Sequence, residues 1–93
     1  MNKLETIITE VAAGVRTMME NHILAGAKGL HFEKVYGNAY VDIDYYSPSV
    51  VSVMVSHFDT SHRSPLLEDE ILKALPDWSE VYNEIFWEDR QTA

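Results

Sequence analysis

The chain has 93 residues, of which 15 are acidic and seven are basic, and its net charge is −8 at pH 7. A strongly negative field repels nucleic acid and anionic lipid surfaces, because phosphate binding depends on Lys and Arg side chains that displace counterions. The sequence contains no cysteine, which excludes disulfides and thiolate metal sites. We therefore expect a protein that binds neither nucleic acid nor membranes.

The length and composition predict a single folded domain over residues 1–93. Apolar residues make up 46% of the chain, with two Trp, five Tyr and three Phe, which is too apolar for an intrinsically disordered protein despite the charge. The N-terminus lacks the pattern of a secretory signal, and no apolar run approaches the ~20 residues of a membrane span. We expect a soluble, cytoplasmic protein without a cofactor.

The first predicted element is a long amphipathic helix with one buried face. Its apolar positions recur at alternating steps of four and three, and they are Leu4, Ile8, Val11, Val15, Met18 and His22. Gly26 and Gly29 supply the permissive backbone conformations that end a helix. His22 is either a buried base or pH switch, or a residue that bonds a carbonyl near the helix end.

Three strands are predicted next. Period-two alternation over residues 30–36 and 39–46, interrupted by Gly37 and Asn38, is typical of a hairpin with a tight turn of type II′. After a second turn, the β-branched run over residues 50–58 favours a third strand. Consecutive strands joined by short turns predict an antiparallel meander whose middle strand is 39–46.

The two-residue turn determines which side chains of the hairpin face each other. The resulting register gives one apolar face, and on the other face it pairs Glu33 with Asp42 and His31 with Asp44. Facing acids repel, so they favour binding of a cation, a proton or a basic side chain. This patch is either a docking or weak metal site, or a solvated face on which His31 pairs with Asp44.

The third strand is apolar on both sides. Val51, Val53 and Val55 point one way, while Val50, Met54 and Phe58 point the other. Either helices of the same chain cover both faces, with the N-terminal helix on one and the C-terminal pair on the other, or a second subunit covers one face. For so small a chain we favour the second explanation, a homodimer.

Two helices are predicted in the C-terminal third. Ser64-Pro65 has the form of an N-cap followed by the first residue of a helix that runs to about residue 75. Asp77 and Glu80 then have the spacing of a capping box for a last helix over about residues 78–89. The fold class is α+β, with the order α-β-β-β-α-α and helices on at least one face of the sheet.

Most of the negative charge lies in this C-terminal region, since residues 64–93 contain eight acids and two bases. Glu80, Glu84 and Glu88 line one ridge of the last helix, and Trp87 lies beside them. We expect Trp87 to be at least partly exposed, and exposed Trp residues often anchor protein interfaces. These four residues predict a surface that binds a basic protein; the alternative is an ordinary solvated helix face, with Trp87 packed on another helix or on the dimer mate.

A second candidate site follows the third strand, at His57, Asp59 and His62. Imidazole and carboxylate groups suit zinc and related ions. The spacing matches no helical metal motif, and no Gly-x-Ser-x-Gly elbow is present. A metal site or a small hydrolase therefore competes with a turn whose polar side chains bond the backbone.

The helix, three-strand, helix order is similar to that of the double-stranded RNA-binding domain, in which a basic second helix contacts phosphates. Residues 77–80 carry the opposite charge at the corresponding position. A shared topology does not establish a shared function, so the sequence is assigned to no family.

The favoured hypothesis is a small acidic, non-enzymatic interaction module, such as an inhibitor, an immunity or antitoxin-like partner, or a regulatory adaptor. It would dock a basic protein through its C-terminal helices. One alternative is a DNA-mimic protein of a mobile element or phage, whose carboxylates must run in rows spaced like phosphates. The other is a metal-binding protein or hydrolase that uses the cluster at His57.

Overall fold

The computed structural model describes residues 3–57 and 63–92, and it describes side-chain environments for residues 4–57 and 63–87. The elements follow the predicted order α-β-β-β-α-α. They are α1 (Lys3–Leu24), β1 (Leu30–Tyr36), β2 (Ala39–Ser47), β3 (Val50–His57), α2 (Pro65–Ala74) and α3 (Trp78–Thr92). The predicted α+β class is confirmed.

Helix α1 ends in a Schellman motif centred on Gly26. This glycine has a φ of 82°, and its N–H donates to the carbonyl of Ile23 at 3.0 Å. The N–H of Ala27 donates to the carbonyl of His22 at 2.9 Å. These two bonds satisfy carbonyls that have no partner within the helix, and the left-handed conformation that they require favours glycine.

The other two residues singled out near this helix end have local structural roles. Nδ1 of His22 lies 2.9 Å from the carbonyl oxygen of Met18, one turn earlier, as the capping interpretation predicts. Gly29 does not end the helix, which stops at Leu24. It instead allows the backbone to approach β2, because a Cβ at this position would lie 2.5 Å from the carbonyl oxygen of Tyr45.

The three strands form one antiparallel sheet in the order β1-β2-β3. Gly37 has a φ of 60° in the hairpin turn, a value shared by the first central residue of both primed turn types. The predicted register is confirmed, with Glu33 opposite Asp42 and His31 opposite Asp44. Period-two alternation and the two-residue turn together were sufficient to predict it.

All three helices pack on the same face of this sheet. Gly14 of α1 lies against the ring of Phe32 in β1, and the ring of Trp78 at the start of α3 lies 5.9 Å from that of Tyr45 in β2. The buried core between the layers consists of Val11, Val15, Met19, Ile23, Leu30, Phe32, Ala39, Val41, Ile43, Tyr45, Val55, Leu67, Ile71, Trp78 and Val81. The alternative with helices on both faces is therefore wrong.

The opposite side of the sheet, which we call the open face, is not covered by any described helix. Val51, Val53 and Val55 of β3 lie on the covered side. Val50 and Met54 lie on the open face and are 53% and 41% exposed. The homodimer that was predicted to cover such a surface stays a prediction.

Helices α2 and α3 begin with different caps. Ser64 occupies the N-cap of α2, but its side chain makes no capping hydrogen bond. Only its carbonyl takes part, accepting from the N–H of Glu68 at 2.9 Å. At α3, Oδ1 of Asp77 accepts from the N–H of Glu80 at 3.1 Å, as the capping-box spacing predicted.

The carboxylate of Glu68 joins α2 to the third strand. Its Oε2 accepts a hydrogen bond from the backbone N–H of Val55 at 2.8 Å and another from Nε of Arg63 at 2.9 Å. The bond from Arg63, and to a lesser extent that from Val55, holds the pKa of Glu68 below its usual value, because each stabilises the ionised form. Among the described residues, no helix is long and apolar enough to span a bilayer.

Candidate functional sites

The start of α3 is anchored on the sheet. The hydroxyl of Tyr45 donates to the carbonyl of Pro76 at 2.9 Å, and burial, followed by the negative charge of Asp77, raises the pKa of this hydroxyl to about 12. Trp78 and Val81 are buried in the core. The first turns of α3 are therefore held firmly, and they set the direction of the rest of the helix.

Beyond these turns, aromatic side chains of α3 lie open to solvent. Tyr82 and Phe86 are 47% and 37% exposed, and their ring centroids lie 4.6 Å apart. Trp87 is 53% exposed, which confirms the expectation that its indole reaches the surface. We call Glu80, Glu84 and Trp87, which helical spacing places on one side of α3, the α3 surface; Tyr82 and Phe86 lie on the other side.

The exposure of Tyr82 and Phe86 was not foreseen. Both belong by helical spacing to the same apolar arc as Trp78 and Val81, so the pattern alone would place them in the core. The structure shows that α1 covers only one side of this arc. The uncovered side faces an open groove, to which Leu24 at the end of α1 also contributes.

The acids predicted beside Trp87 have different environments. The carboxylate of Glu80 forms no ion pair with any described residue, while that of Glu84 forms an ion pair with the guanidinium of Arg16 in α1. Arg16 also lies 3.4 Å from the carboxylate of Glu20. Glu88 belongs to α3, but its side chain lies outside the described part of the chain.

A second group of functional side chains lies on the open face. We call His31, Glu33, Asp42 and Asp44 the sheet cluster. Nδ1 of His31 is 2.5 Å from Oδ1 of Asp44 and 3.4 Å from Oδ1 of Asp42, and its Nε2 is 2.5 Å from Oε1 of Glu33. One imidazole thus contacts three carboxylates that the strand register brings together.

The electrostatics of the sheet cluster follow from this crowding. Hydrogen bonds to Glu33 and then Asp44 raise the pKa of His31 to about 9. The same contact, with a hydrogen bond from Tyr40, lowers the pKa of Glu33. Burial, and then repulsion from Asp44, raises the pKa of Asp42. The cluster therefore attracts positive charge. Asp42 is the carboxylate whose negative charge is least stabilised by its surroundings.

Oδ1 of Asp42 has two properties that single it out. It is inaccessible to solvent, and it forms no hydrogen bond in the described structure. Its 3.4 Å contact with Nδ1 of His31 is electrostatic only, because Nδ1 is bonded to Asp44 instead. A buried acceptor without a partner carries a desolvation cost.

The third candidate site is described only in part, because Asp59 and His62 lie outside the described residues. Nε2 of His57 lies 2.6 Å from Oγ of Ser64, which explains why this hydroxyl does not cap α2. The sequence pattern predicted an N-cap role for the Ser64 hydroxyl, so its pairing with His57 was not predicted. A Ser and His pair without a described third group is not sufficient evidence for nucleophilic catalysis.

No protein-family model matches this sequence, and no curated protein or solved structure matches it either. Functional inference therefore depends on the side-chain chemistry of the α3 surface and the sheet cluster.

Proposed function

We propose that this protein is a non-enzymatic interaction module that docks a basic protein segment on the α3 surface. The observation that supports the proposal is the exposed indole of Trp87 on the same side of α3 as the carboxylates of Glu80 and Glu84. Cytoplasmic location and a homodimeric state belong to the same proposal.

The side chain of Trp87 supplies the apolar part of such an interface. Trp87 exposes an indole that a partner can bury, and aromatic residues contribute most strongly where water is excluded around them. Exposed aromatic side chains are unfavourable in water. A partner that covers this indole gains binding energy without displacing any core contact.

The carboxylates supply the specificity. Glu80 forms no ion pair with any described residue, and its charge is available to a cation. Glu84 is paired with Arg16, but both side chains are nearly half exposed. Such surface pairs contribute little to stability, so a partner Lys or Arg can replace Arg16 at low cost. Complementary charge raises the association rate and rejects acidic competitors.

The DNA-mimic alternative requires long rows of unneutralised carboxylates. On the described surface, several acids outside α3 are already matched by a basic group: Glu68 contacts Arg63, Asp69 contacts Lys73, and Asp44 contacts His31. Local neutralisation of this kind, which also occurs at Glu84 with Arg16, interrupts a long phosphate-like row of bare carboxylates, whereas the interaction module needs only the unneutralised Glu80 beside Trp87.

The proposal is tested by capturing partners from the native host on immobilised wild-type protein, then purifying the dominant partner and measuring its affinity. We expect a basic partner whose binding weakens at least tenfold between 50 mM and 500 mM salt. Trp87→Ala and Glu80→Lys should each weaken binding at least tenfold.

Matched controls are available elsewhere on the surface. Tyr46 is 69% exposed on another part of the sheet, and Glu10 is an exposed acid on α1. Tyr46→Ala and Glu10→Lys should bind like wild type. An acidic partner, an affinity that does not change with salt, or equal losses in the controls would exclude docking at the α3 surface.

A further inference from the structure

We infer that the sheet cluster binds a divalent first-row metal ion, of the Mn²⁺ or Zn²⁺ type, through His31, Asp42 and Asp44. The inference is independent of the proposed docking function, because it concerns the open face and not α3.

The donor atoms are close enough to share one ion. A ligand nitrogen or oxygen lies about 2.0–2.2 Å from such a metal, so two adjacent ligands lie about 3 Å apart. One donor atom from each of His31, Asp42 and Asp44 falls within 4.8 Å of the other two. The side chains of His31 and Asp44 are partly exposed, so small rotations about their side-chain bonds can open the space that an ion needs.

The imidazole is held in the orientation that a ligand requires. Nε2 of His31 lies 2.5 Å from Oε1 of Glu33, and Tyr40 also bonds that carboxylate. A histidine that ligates a metal usually donates its other N–H to a carboxylate, which orients the ring and raises its basicity. With Nε2–H donated to Glu33, Nδ1 is the ligating atom, and it faces Asp42 and Asp44; the metal ion displaces the Nδ1 proton, which is released to solvent. Glu33 is therefore a positioning residue.

A second, independent observation comes from Asp42. Its Oδ1 is inaccessible to solvent and accepts no hydrogen bond, although the side chain is 22% exposed and Oδ1 forms an ion pair with Nδ1 of His31 at 3.4 Å. A cation bound between the two atoms would satisfy this oxygen.

The donor set limits the kind of ion. One imidazole nitrogen with carboxylate oxygens suits Mn²⁺, Fe²⁺ or Zn²⁺ better than Ca²⁺, which prefers six to eight oxygens. Three protein ligands on a half-exposed face leave further coordination positions to water. The ion would therefore remain accessible from the open face.

The test is titration of metal-free protein with Mn²⁺ alone, followed by NMR, and with Zn²⁺ alone, followed by calorimetry. We expect saturable binding of one ion and paramagnetic broadening centred on the imidazole of His31 and the amides of residues 42–44. His31→Gln and Asp42→Asn should each weaken binding at least tenfold. Glu33→Gln should weaken it about tenfold through the orientation of the ring.

Asp69→Asn is the matched control, because it removes an exposed acid that pairs with Lys73 on α2, and it should bind like wild type. Circular dichroism checks that each variant folds, and Asp44→Asn replaces Asp42→Asn if that variant does not. The inference is overturned if no saturable binding occurs, if broadening is centred elsewhere, or if His31→Gln binds as tightly as wild type.

Discussion

The two faces of the sheet are built from the same strands but have opposite environments. On β2, Val41 and Ile43 are fully buried beneath the helices. Asp42 and Asp44 alternate with them and lie on the open face, where they contact His31. Because successive side chains of a strand point to opposite faces, one short segment supplies both the centre of the core and the sheet cluster. The comparison indicates that stability is concentrated on one face, which leaves the other free to bind ligands.

The strongest test of this comparison is Ile43→Ala on the covered face. Loss of a fully buried side chain leaves a cavity, and we expect the free energy of unfolding to fall by about 2–5 kcal/mol. Urea denaturation monitored by Trp fluorescence measures the change. Ser52→Ala, at an exposed position of the open face, should stay within about 0.5 kcal/mol of wild type. Similar losses in both variants would contradict the assignment of stability to one face.

The next test concerns the attachment of α2 to β3 by Glu68. Glu68→Gln should lower the free energy of unfolding at pH 7 by about 1–2 kcal/mol, because hydrogen bonds to a charged group are weakened. The folded-state pKa of Glu68 is lowered, so its contribution is complete above the usual glutamate pKa and is lost as the pH falls through the folded value.

Wild type and Glu68→Gln should therefore converge in stability as the pH decreases, which urea denaturation at pH 7, 5 and 3.5 can follow. Glu70→Gln is the control, since that acid is exposed on the same helix, and its effect should stay within about 0.5 kcal/mol. A difference between wild type and Glu68→Gln that is independent of pH would show that the ionised carboxylate is not responsible.

A smaller effect is expected where α3 joins the covered face. Tyr45→Phe removes the hydrogen bond to the carbonyl of Pro76 but keeps the ring against Trp78, so we expect a loss of about 0.5–1.5 kcal/mol. Amide hydrogen exchange should become faster in the first turns of α3, whereas α1 should be unaffected. Unchanged exchange in α3 would mean that Tyr45 does not anchor this helix.

The smallest expected effect is a gain in stability, produced by a substitution on the open face. In metal-free buffer at pH 7, Asp42→Asn should raise the free energy of unfolding by less than about 1 kcal/mol, because it removes repulsion between facing acids. The sign follows from the raised pKa of Asp42, since a group whose charged form is disfavoured on folding reduces stability above that pKa. Denaturation in the presence of a chelator measures this change in the free energy of unfolding. A loss of stability in Asp42→Asn would contradict the electrostatic interpretation.

Much of the fold could be predicted from the sequence because its signals are local. Gly37 and Asn38 specify a two-residue turn, and period-two alternation then specifies the register that pairs His31 with Asp44. The capping residue Asp77 marks the start of α3. These features depend on the conformational preferences of neighbouring residues, which a linear sequence contains directly.

The candidate sites were less predictable because they depend on which surfaces the helices cover. The sequence correctly indicated that Trp87 is exposed, but it could not show that Tyr82 and Phe86 are exposed too, or that Glu84 pairs with Arg16. It also could not show that Ser64 pairs with His57. The ion pair between Glu84 and Arg16 joins residues 68 positions apart in the chain, and the pairing of His57 with Ser64 joins β3 to the start of α2.

The sequence by itself determined the order of helices and strands, the register of the hairpin and the acidic character of the C-terminal region. Only the tertiary structure decided that all three helices pack on one face of the sheet, and that Oδ1 of Asp42 on the other face is inaccessible to solvent and accepts no hydrogen bond. The physical reason is that backbone preferences act between neighbours in sequence. Burial and electrostatic pairing depend instead on which distant segments share the same space.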